Sequence, residues 1–483
     1  MLMQRITKQA ARYTSRGGVE HCSLCRHFVR ARGGSCKRVE GAISPAGWCR
    51  LFSRELAASV LSPHASVGGG GPSLGIDFMT PGSLDPRITF TRASTATYFN
   101  AAGLMQAAAT NAPRWDYDPT TLQLRGLLVE EQRTNISTDF TGYTDNAATR
   151  TFNAGIAPDG TNTAVRLAET SAANIHFTQR ISTTTTNVMY IFSVYAKAAE
   201  VRYLQLFSDN GTNDGAFVTF DLQTGTISQA AQVRGVGVLG GVAIQPCSGG
   251  VFRVSLGVQV AGTVYRSGIL LSQTAAPGFA PSYPGNPANG VLIWGVQLEA
   301  GAFQTSYIPT TSAAVTRAAD NCSMPVGAWY DATKGSLFGE YIYEGVPSAN
   351  PYGSPLALVG ANVDADWIRP NGTHPGPKVV FANVQVAGVG VSGAEWSPHI
   401  DTPIGVMQRT AMSWAQNVRM YAAHNSIAAT VNVTGTNTTL PVITNLMVGG
   451  RVGYQDPQCL WARNVRYWNR QLSQAEMQQV TTL

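Results

Sequence analysis

Short apolar runs, spaced roughly ten residues apart, are the feature that most constrains what this chain can fold into. From residue 76 onward, runs such as VMYIFSVYAKA, AFVTFDLQTGTI and VFRVSLGVQV combine β-branched and aromatic residues, and Gly, Asn, Asp or Pro turns separate them. Such runs predict antiparallel strands in sandwiches or barrels. A charged fraction of 13% and 50 glycines agree with a loop-rich β protein. We therefore expect a mainly β fold, with antiparallel β-sandwich (jelly-roll) domains behind a small Cys-rich module.

The length of 483 residues exceeds that of one ordinary domain, so several are expected. Ser62–Gly75 contains four consecutive glycines and two prolines, which is typical of a flexible linker. The sequence predicts a Cys-rich module at 1–61, a Gly/Pro linker at 62–75, a β-rich connector at 76–134, a jelly roll at 135–310, a second linker at 311–335 and a further β-sandwich at 336–483.

Positive charge is concentrated in the first 55 residues, which hold eleven Lys or Arg and three Glu. A basic segment often binds nucleic acid, but here it surrounds cysteines that could hold a negatively charged centre. The N-terminus lacks the apolar stretch of a secretory signal, and no apolar run reaches the length of a membrane span. We therefore expect no nucleic-acid partner, no membrane insertion, and folding in a reducing cytosol.

Four of the seven cysteines lie close together, in the spacing Cys22-x₂-Cys25-x₁₀-Cys36-x₁₂-Cys49. Disulfides are one interpretation, although a reducing compartment disfavours them. A structural zinc ion is an alternative, but zinc ribbons and fingers bring their ligands in two close pairs, and only the first pair is close here. Four thiolates spread over two loops with aromatic neighbours suit a 4Fe–4S cluster better.

The segments CSLCRHF and GSCKRVEGAISPAGWC resemble the high-potential iron–sulfur proteins, chiefly in the CxxC pair and in Gly-Trp-Cys at residues 47–49. The resemblance covers about thirty residues. It implies that Cys22, Cys25, Cys36 and Cys49 ligate one 4Fe–4S cluster, shielded by aromatic side chains such as Trp48. Basic residues around it would offset its negative charge. A segment this small needs such a staple to fold, so we interpret the cluster as structural rather than catalytic.

Larger stretches resemble bacteriophage tail-fibre and other virion proteins. The phrases carrying this resemblance are ITFTRASTATYFNAAGLMQ, RGLLVEEQRTN and VQLEAGAFQTSYIPT. The closing ARNVRYWNRQLSQAEMQQV resembles the last strand and helix of concanavalin A-like, laminin G-type domains. These resemblances imply a homotrimeric virion protein, assembled in the host bacterial cytoplasm. Residues 1–61 would be the docking module that contacts other virion proteins.

The function expected from the sequence is recognition of a host-surface receptor or glycan by the sandwiches, without catalysis; the chain is expected not to be an enzyme. Its tryptophans suit stacking on sugars, although most are expected in the core. A purely architectural decoration or collar protein is the first alternative. A polysaccharide depolymerase using Glu340 and Glu344 is the second, although we interpret both residues as solvent-facing on a strand. No GxSxG, HExxH or P-loop motif occurs in the sequence.

Overall fold

The structure is a computed structural model that describes residues 28–29, 35–36, 70–345, 354–374, 378–401, 403–429, 431–434, 439–450 and 459–482. The chain divides into two compact units, Met1–Gly71 and Pro72–Leu483. In the first unit, strands β1 (Phe28–Val29) and β2 (Ser35–Cys36) pair antiparallel, with Phe28 opposite Cys36. The rest of this section concerns the second unit.

The strands before the first sandwich are β3 (Leu74–Asp77), β4 (Thr89–Thr91), β5 (Ala96–Phe99), β6 (Met105–Ala108), β7 (Arg114–Tyr117), β8 (Leu124–Val129) and β9 (Arg133–Asn135). Those of the first sandwich are β10 (Thr144–Asn146), β11 (Ala148–Gly155), β12 (Ala164–Glu169), β13 (Ala173–Asn174), β14 (Phe177–Thr183), β15 (Met189–Ala198), β16 (Tyr203–Asp209), β17 (Gly215–Asp221), β18 (Thr226–Arg234), β19 (Val238–Pro246), β20 (Phe252–Gln259), β21 (Val264–Ser272), β22 (Tyr283–Pro284) and β23 (Gly290–Ala300).

The strands that follow are β24 (Val315–Arg317), β25 (Asn321–Pro325), β26 (Lys334–Gly345), β27 (Leu356–Gly360), β28 (Trp367–His374), β29 (Lys378–Val386), β30 (Val389–Asp401), β31 (Met407–Ala415), β32 (Val418–His424), β33 (Ile427–Ala428), β34 (Val431–Thr434), β35 (Ile443–Val448) and β36 (Cys459–Trp468). The helix α1 (Gln474–Val480) begins with a capping box between Ser473 and Glu476. No helix in the described part of the chain is both long and apolar enough to cross a membrane.

The first sandwich consists of two six-stranded antiparallel sheets, in the orders β10-β14-β21-β16-β17-β18 and β11-β12-β23-β15-β20-β19. Alternation along the long strands points one row of side chains inward. Phe192, Leu206, Val218 and Leu256 are among the fully buried residues of the core between the sheets. The prediction of a mainly β, antiparallel sandwich fold is confirmed.

The second sandwich is built from two distant parts of the chain. One of its sheets, as described, runs β34-β30-β29-β28-β27-β35-β25-β4, and the other runs β33-β32-β31-β26-β36-β8-β7 with β3 also paired to β36. Strands β3, β4, β7 and β8 come from the predicted connector, and their Leu74, Ile76 and Leu127 share a core with Trp414 and Tyr467. The jelly roll is therefore an insertion between two halves of this sandwich.

Two features fasten the halves together. At the base of the insertion, β9 pairs antiparallel with β24, so the chain leaves and re-enters the second sandwich at one place. Next to the β8–β36 pairing, Gly126 has a φ of +140°, and a Cβ there would lie 2.3 Å from the Ala462 carbonyl oxygen. Only glycine allows this close approach of the two backbones.

Candidate functional site

The four cysteines predicted to hold a metal, Cys22, Cys25, Cys36 and Cys49, lie outside the described residues, except that the backbone of Cys36 belongs to β2. Their side chains are not described, so the 4Fe–4S or zinc site stays a prediction. Within the described ranges, no three His, Cys, Asp or Glu residues lie together in a way that could hold a metal ion. The remaining cysteines, Cys247, Cys322 and Cys459, are free and buried, as is common for cysteines that pack as small apolar residues.

The first candidate site is a groove of about 350 Å³ between the jelly roll and the connector, which we call the aromatic groove. It contains Phe152 of β11, Trp294 of β23 and Tyr307 from the segment after β23. The rings of Trp294 and Tyr307 lie 4.8 Å apart between centroids. Trp294 is half-buried, whereas Phe152 is 46% exposed. The groove thus presents aromatic surface to solvent.

Polar side chains line the same groove. The indole Nε1 of Trp294 donates to the hydroxyl of Thr163 at 3.1 Å, which fixes the ring orientation. Asp159 accepts hydrogen bonds from the backbone N–H and the hydroxyl of Thr161 at 2.9 and 2.7 Å. Asp139 accepts from the backbone N–H of Thr141 at 3.1 Å. An oriented aromatic ring beside carboxylates and a hydroxyl can bind a sugar by stacking and by hydrogen bonds to its hydroxyl groups.

The second candidate site is a cavity of about 60 Å³ where the connector strands, the jelly roll and the second sandwich meet; we call it the junction pocket. Its lining includes Asp116, Arg125, Arg253, Glu344 and Trp461. A cavity of about 340 Å³ shares Arg125, Gln245, Glu344 and Trp461 with it. The aromatic groove shares Thr97, Met105 and Tyr307 with it. The three cavities are therefore neighbours with common wall residues.

Asp116 of β7 is buried and held by several donors. Its Oδ1 accepts the backbone N–H of Phe99 at 2.7 Å, and its Oδ2 accepts the indole N–H of Trp461 at 2.8 Å. Arg125 lies 3.6 Å from Oδ2 and 4.8 Å above the ring of Trp461. Burial raises the pKa of Asp116, although Arg125 and the hydrogen bonds oppose this effect.

Glu344 and Glu130 form a pair of carboxyl groups whose pKa values are shifted in opposite directions. Burial, the negative charge of Glu130 and that of Asp116 raise the pKa of Glu344 well above its usual value. Burial also disfavours ionised Glu130, but Arg317, Arg114 and hydrogen bonds from Ser306 outweigh it and hold the pKa of Glu130 well below the ordinary range. Glu344 is therefore a neutral acid beside a carboxylate. Its buried Oε2 has no hydrogen-bond partner.

Arg253 of β20 is a buried cation in the same pocket, with 5% of its surface exposed. Its guanidinium donates to the carbonyl oxygen of Thr305 at 2.6 Å and to the hydroxyl of Ser193 at 3.1 Å. It lies 5.3 Å from the ring centre of Tyr195. Its Nε has no partner, and no described carboxylate lies within ion-pairing distance, 4 Å, of it. An arginine within the apolar run VFRVSLGVQV was the sequence signal that could have identified it.

A buried ion network lies behind the pocket. Asp320 pairs with Arg92 at 3.0 Å and with Arg114 at 2.5 Å, and Arg114 also pairs with Glu130 at 2.6 Å. All four side chains are fully buried. The network joins the connector to the segment after the jelly roll, and the sequence analysis missed it. The charged residues of RGLLVEEQRTN and TRAAD, in a chain with 13% charged residues, were the available signal.

Glu340 and Glu344, the predicted depolymerase pair, lie on the same strand but in different surroundings. Glu340 accepts from Arg409 at 2.7 Å and from Arg463 and Asn464 at 3.1 Å. Burial alone would raise the pKa of Glu340, but these partners lower it overall. Glu344 instead lies in the junction pocket. Their interpretation as solvent-facing residues is wrong, because Glu340 is 7% exposed and the Oε2 of Glu344 is enclosed.

No protein-family model matches the chain. One curated relative is an iron oxidase from Acidithiobacillus ferrooxidans, 51% identical over 35 residues, which are 7% of this chain and 37% of that protein. This match therefore spans little more than a third of the relative.

Three solved structures to which the chain shows a weak likeness are parts of carbohydrate-related proteins. Domain 4 of an extracellular GH43 arabinanase from Geobacillus stearothermophilus, in complex with arabinotriose, matches at 12% identity and a TM-score of 0.25, over 37% of this chain and 82% of that one. A Trypanosoma rangeli sialidase in complex with sialic acid matches at 10% identity and a TM-score of 0.25, over 66% of this chain and 60% of that one. A tandem CBM22 domain from Paenibacillus barcinonensis matches at 9% identity and a TM-score of 0.23, over 70% of this chain and 98% of that one.

The prediction that the chain is not an enzyme is corrected by these neighbours, which include parts of an arabinanase and a sialidase. The absence of a known catalytic motif did not justify excluding catalysis. At TM-scores of 0.25 and below, the likeness carries no argument about what this chain binds.

Proposed function

We propose that this chain is a bacteriophage virion protein that recognises a glycan of the host surface through the aromatic groove. The observation that carries the proposal is the exposed Phe152 beside the Trp294–Tyr307 pair, with Asp159 and Thr163 at the same groove. Ring faces pack against the apolar C–H faces of sugars, and carboxylates accept hydrogen bonds from sugar hydroxyl groups. The phage origin rests on the sequence resemblance to tail-fibre proteins.

Binding of host polysaccharide to the full-length protein tests the recognition proposal. Phe152→Ala removes exposed aromatic surface without emptying a core, so we expect at least about a tenfold loss of affinity, or about 1.4 kcal/mol, with an unchanged melting temperature. Ile181→Ala is the matched control, because Ile181 is 62% exposed on the opposite sheet of the jelly roll. Equal binding by both variants and the wild type would contradict a role of the groove.

For the N-terminal module, we propose that Cys22, Cys25, Cys36 and Cys49 ligate one 4Fe–4S cluster. Four thiolates are the donor set of such clusters, and the CxxC pair together with Gly-Trp-Cys at residues 47–49 supports an iron–sulfur cluster. Anaerobically purified protein should be brown and contain about four iron atoms per chain. Cys49→Ala should lower the iron content, whereas Cys247→Ala, at a free cysteine of the jelly roll, should not. Zinc in place of iron would exclude the cluster.

The same proposal places residues 1–61 against other virion proteins and makes the chain a homotrimer. A chain that starts at Pro72 should then be absent from assembled particles, while native mass measurement of the full chain should give three copies. A purely architectural decoration or collar protein would incorporate in the same way but bind no host polysaccharide. A monodisperse monomer would reject the trimer.

A second candidate activity is glycoside hydrolysis in the junction pocket. It is favoured by Glu344, a neutral acid that shares the pocket with Asp116. Glycoside hydrolysis commonly needs one protonated carboxyl and one ionised carboxyl. Glu344 would give its proton to the glycosidic oxygen as the C–O bond breaks, and Asp116 would accept a proton from the attacking water. New reducing ends in polysaccharide treated with wild type, but not with Glu344→Gln, would support hydrolysis; none with either would reject it.

A further inference from the structure

Arg253 is a charged group with no carboxylate within 4 Å among the residues that the structure describes. It is buried, and its described hydrogen bonds go to a carbonyl oxygen and a hydroxyl, while its Nε has no described partner. An uncompensated buried charge costs several kcal/mol, so such charges are commonly paired. Arg253 lines a cavity of about 60 Å³. A buried, unpaired cation that lines a cavity is suited to bind an anionic group.

The other charges of the junction pocket do not neutralise Arg253. Arg125 already lies between Asp118 at 2.9 Å and Asp116 at 3.6 Å. Glu130 is occupied by Arg114 and Ser306. Glu344 is held against Glu130, where both cannot be ionised together at low cost. None of these carboxylates therefore lies within 4 Å of the Arg253 guanidinium.

We infer that the junction pocket binds the carboxylate of an acidic sugar, so that the glycan of the proposed function contains uronic acid residues. The carboxylate lies against Arg253, whose planar fork suits carboxylate oxygens. The free Oε2 of Glu344 accepts a sugar hydroxyl, and Tyr195 and Trp461 supply aromatic walls. Because the aromatic groove adjoins the pocket and shares Tyr307 with it, one chain of sugars can contact both. This inference rests on the proposed function.

Titration of the full-length protein with free sugars tests the inference. We expect at least one of D-glucuronate, D-galacturonate and D-mannuronate to bind saturably, and at least tenfold more tightly than D-glucose, by isothermal titration calorimetry. Arg253→Gln removes the charge and should abolish this preference. Arg202→Gln is the control, because Arg202 pairs with Asp221 at a surface position. If Arg253→Gln fails to fold, Arg253→Lys keeps the charge but loses the fork, and should weaken uronate binding by at least fivefold.

Binding of none of the three uronates, as a pocket filled by water alone would give, overturns the inference. Equal affinity for uronates in wild type and both Arg253 variants overturns it as well. The proposed function fails separately. If Phe152→Ala retains polysaccharide binding while uronate binding depends on Arg253, the role of the groove is wrong and the carboxylate site stands. If host polysaccharide binds but uronates do not, only the carboxylate site is wrong.

Discussion

At the scale of single residues, the surroundings of a side chain give different protonation states to residues that look equivalent in the sequence. Glu340 and Glu344 are four positions apart on one strand, yet the first is ionised between Arg409 and Arg463 and the second is a neutral acid. Nothing within the strand distinguishes them. The difference comes from the burial of Glu344 and from the charges of Glu130 and Asp116, which lie more than two hundred residues away in sequence.

The pKa of Glu344 predicts how stability changes with pH. Its pKa is raised in the folded protein, so its contribution to stability is present below its unfolded pKa of 4.5 and is lost as the pH rises. Glu344→Gln keeps a neutral side chain of the same shape. We expect this variant to be more stable than wild type at pH 7, by about 1–3 kcal/mol, and equally stable at pH 4. Urea unfolding at both pH values measures this; destabilisation at pH 7 would contradict it.

His424 has the opposite pH dependence. It is buried between the Thr410 hydroxyl at 2.7 Å and the Gln408 side-chain oxygen at 3.0 Å, and burial lowers its pKa to about 3. Below pH 6.5 the unfolded chain therefore binds a proton at this histidine that the folded chain does not bind. The free energy of unfolding then falls by about 1.4 kcal/mol for each pH unit. We expect the free energy of unfolding of His424→Gln, measured by urea denaturation, to change less than that of the wild type between pH 6.5 and 5. Parallel curves for both proteins would show that His424 does not titrate this way.

At the scale of elements, the sequence indicated strands well and their partners poorly. Runs such as VFRVSLGVQV became β20, and LSQAEMQQV became α1 with its capping box, because alternation and capping are local properties. The pairing of β3, β4 and β8 with strands beyond residue 320 is not local. For the same reason the sequence could not reveal the junction pocket, whose walls come from three parts of the chain.

The buried ion network is the element-scale contact that we expect to matter most for stability. Asp320→Asn leaves Arg92 and Arg114 without the carboxylate that pairs with both. Removing one member of a buried ion group costs about 3–5 kcal/mol. Asp85→Asn is the matched control, because Asp85 pairs with Arg87 at a partly exposed site, and such a pair contributes about 0–1 kcal/mol. Chemical denaturation of both variants should show this contrast; similar losses would refute it.

At the scale of the whole molecule, the insertion of the jelly roll determines which pieces can fold alone. Its core consists of residues between Phe140 and Leu298. The core of the second sandwich combines Leu74, Ile76 and Leu127 with residues after Cys322. The predicted domain order presents the two sandwiches as consecutive, because strand patterns carry no information on which sheet a strand joins.

Two fragments test this arrangement. Residues 136–314 contain a complete core, so we expect them to unfold cooperatively when expressed alone. Residues 318–483 lack four strands of their sandwich and should aggregate or remain unfolded, whereas adding residues 72–135 as a separate chain should restore structure. Circular dichroism and thermal melting measure both results. A stable, cooperative 318–483 fragment would show that the connector strands are dispensable.

The pairing of β3 with β36 has a consequence during synthesis. The hydroxyl of Ser73 bonds the carbonyl oxygen of Tyr467, 394 positions later, so the ribosome makes the first strand roughly 20–80 s before its partner. In that interval the jelly roll emerges whole and folds while the strands before it wait unpaired. A nascent chain cut short near its end therefore carries a finished first sandwich and an exposed, half-built second one, which chaperones and proteases recognise.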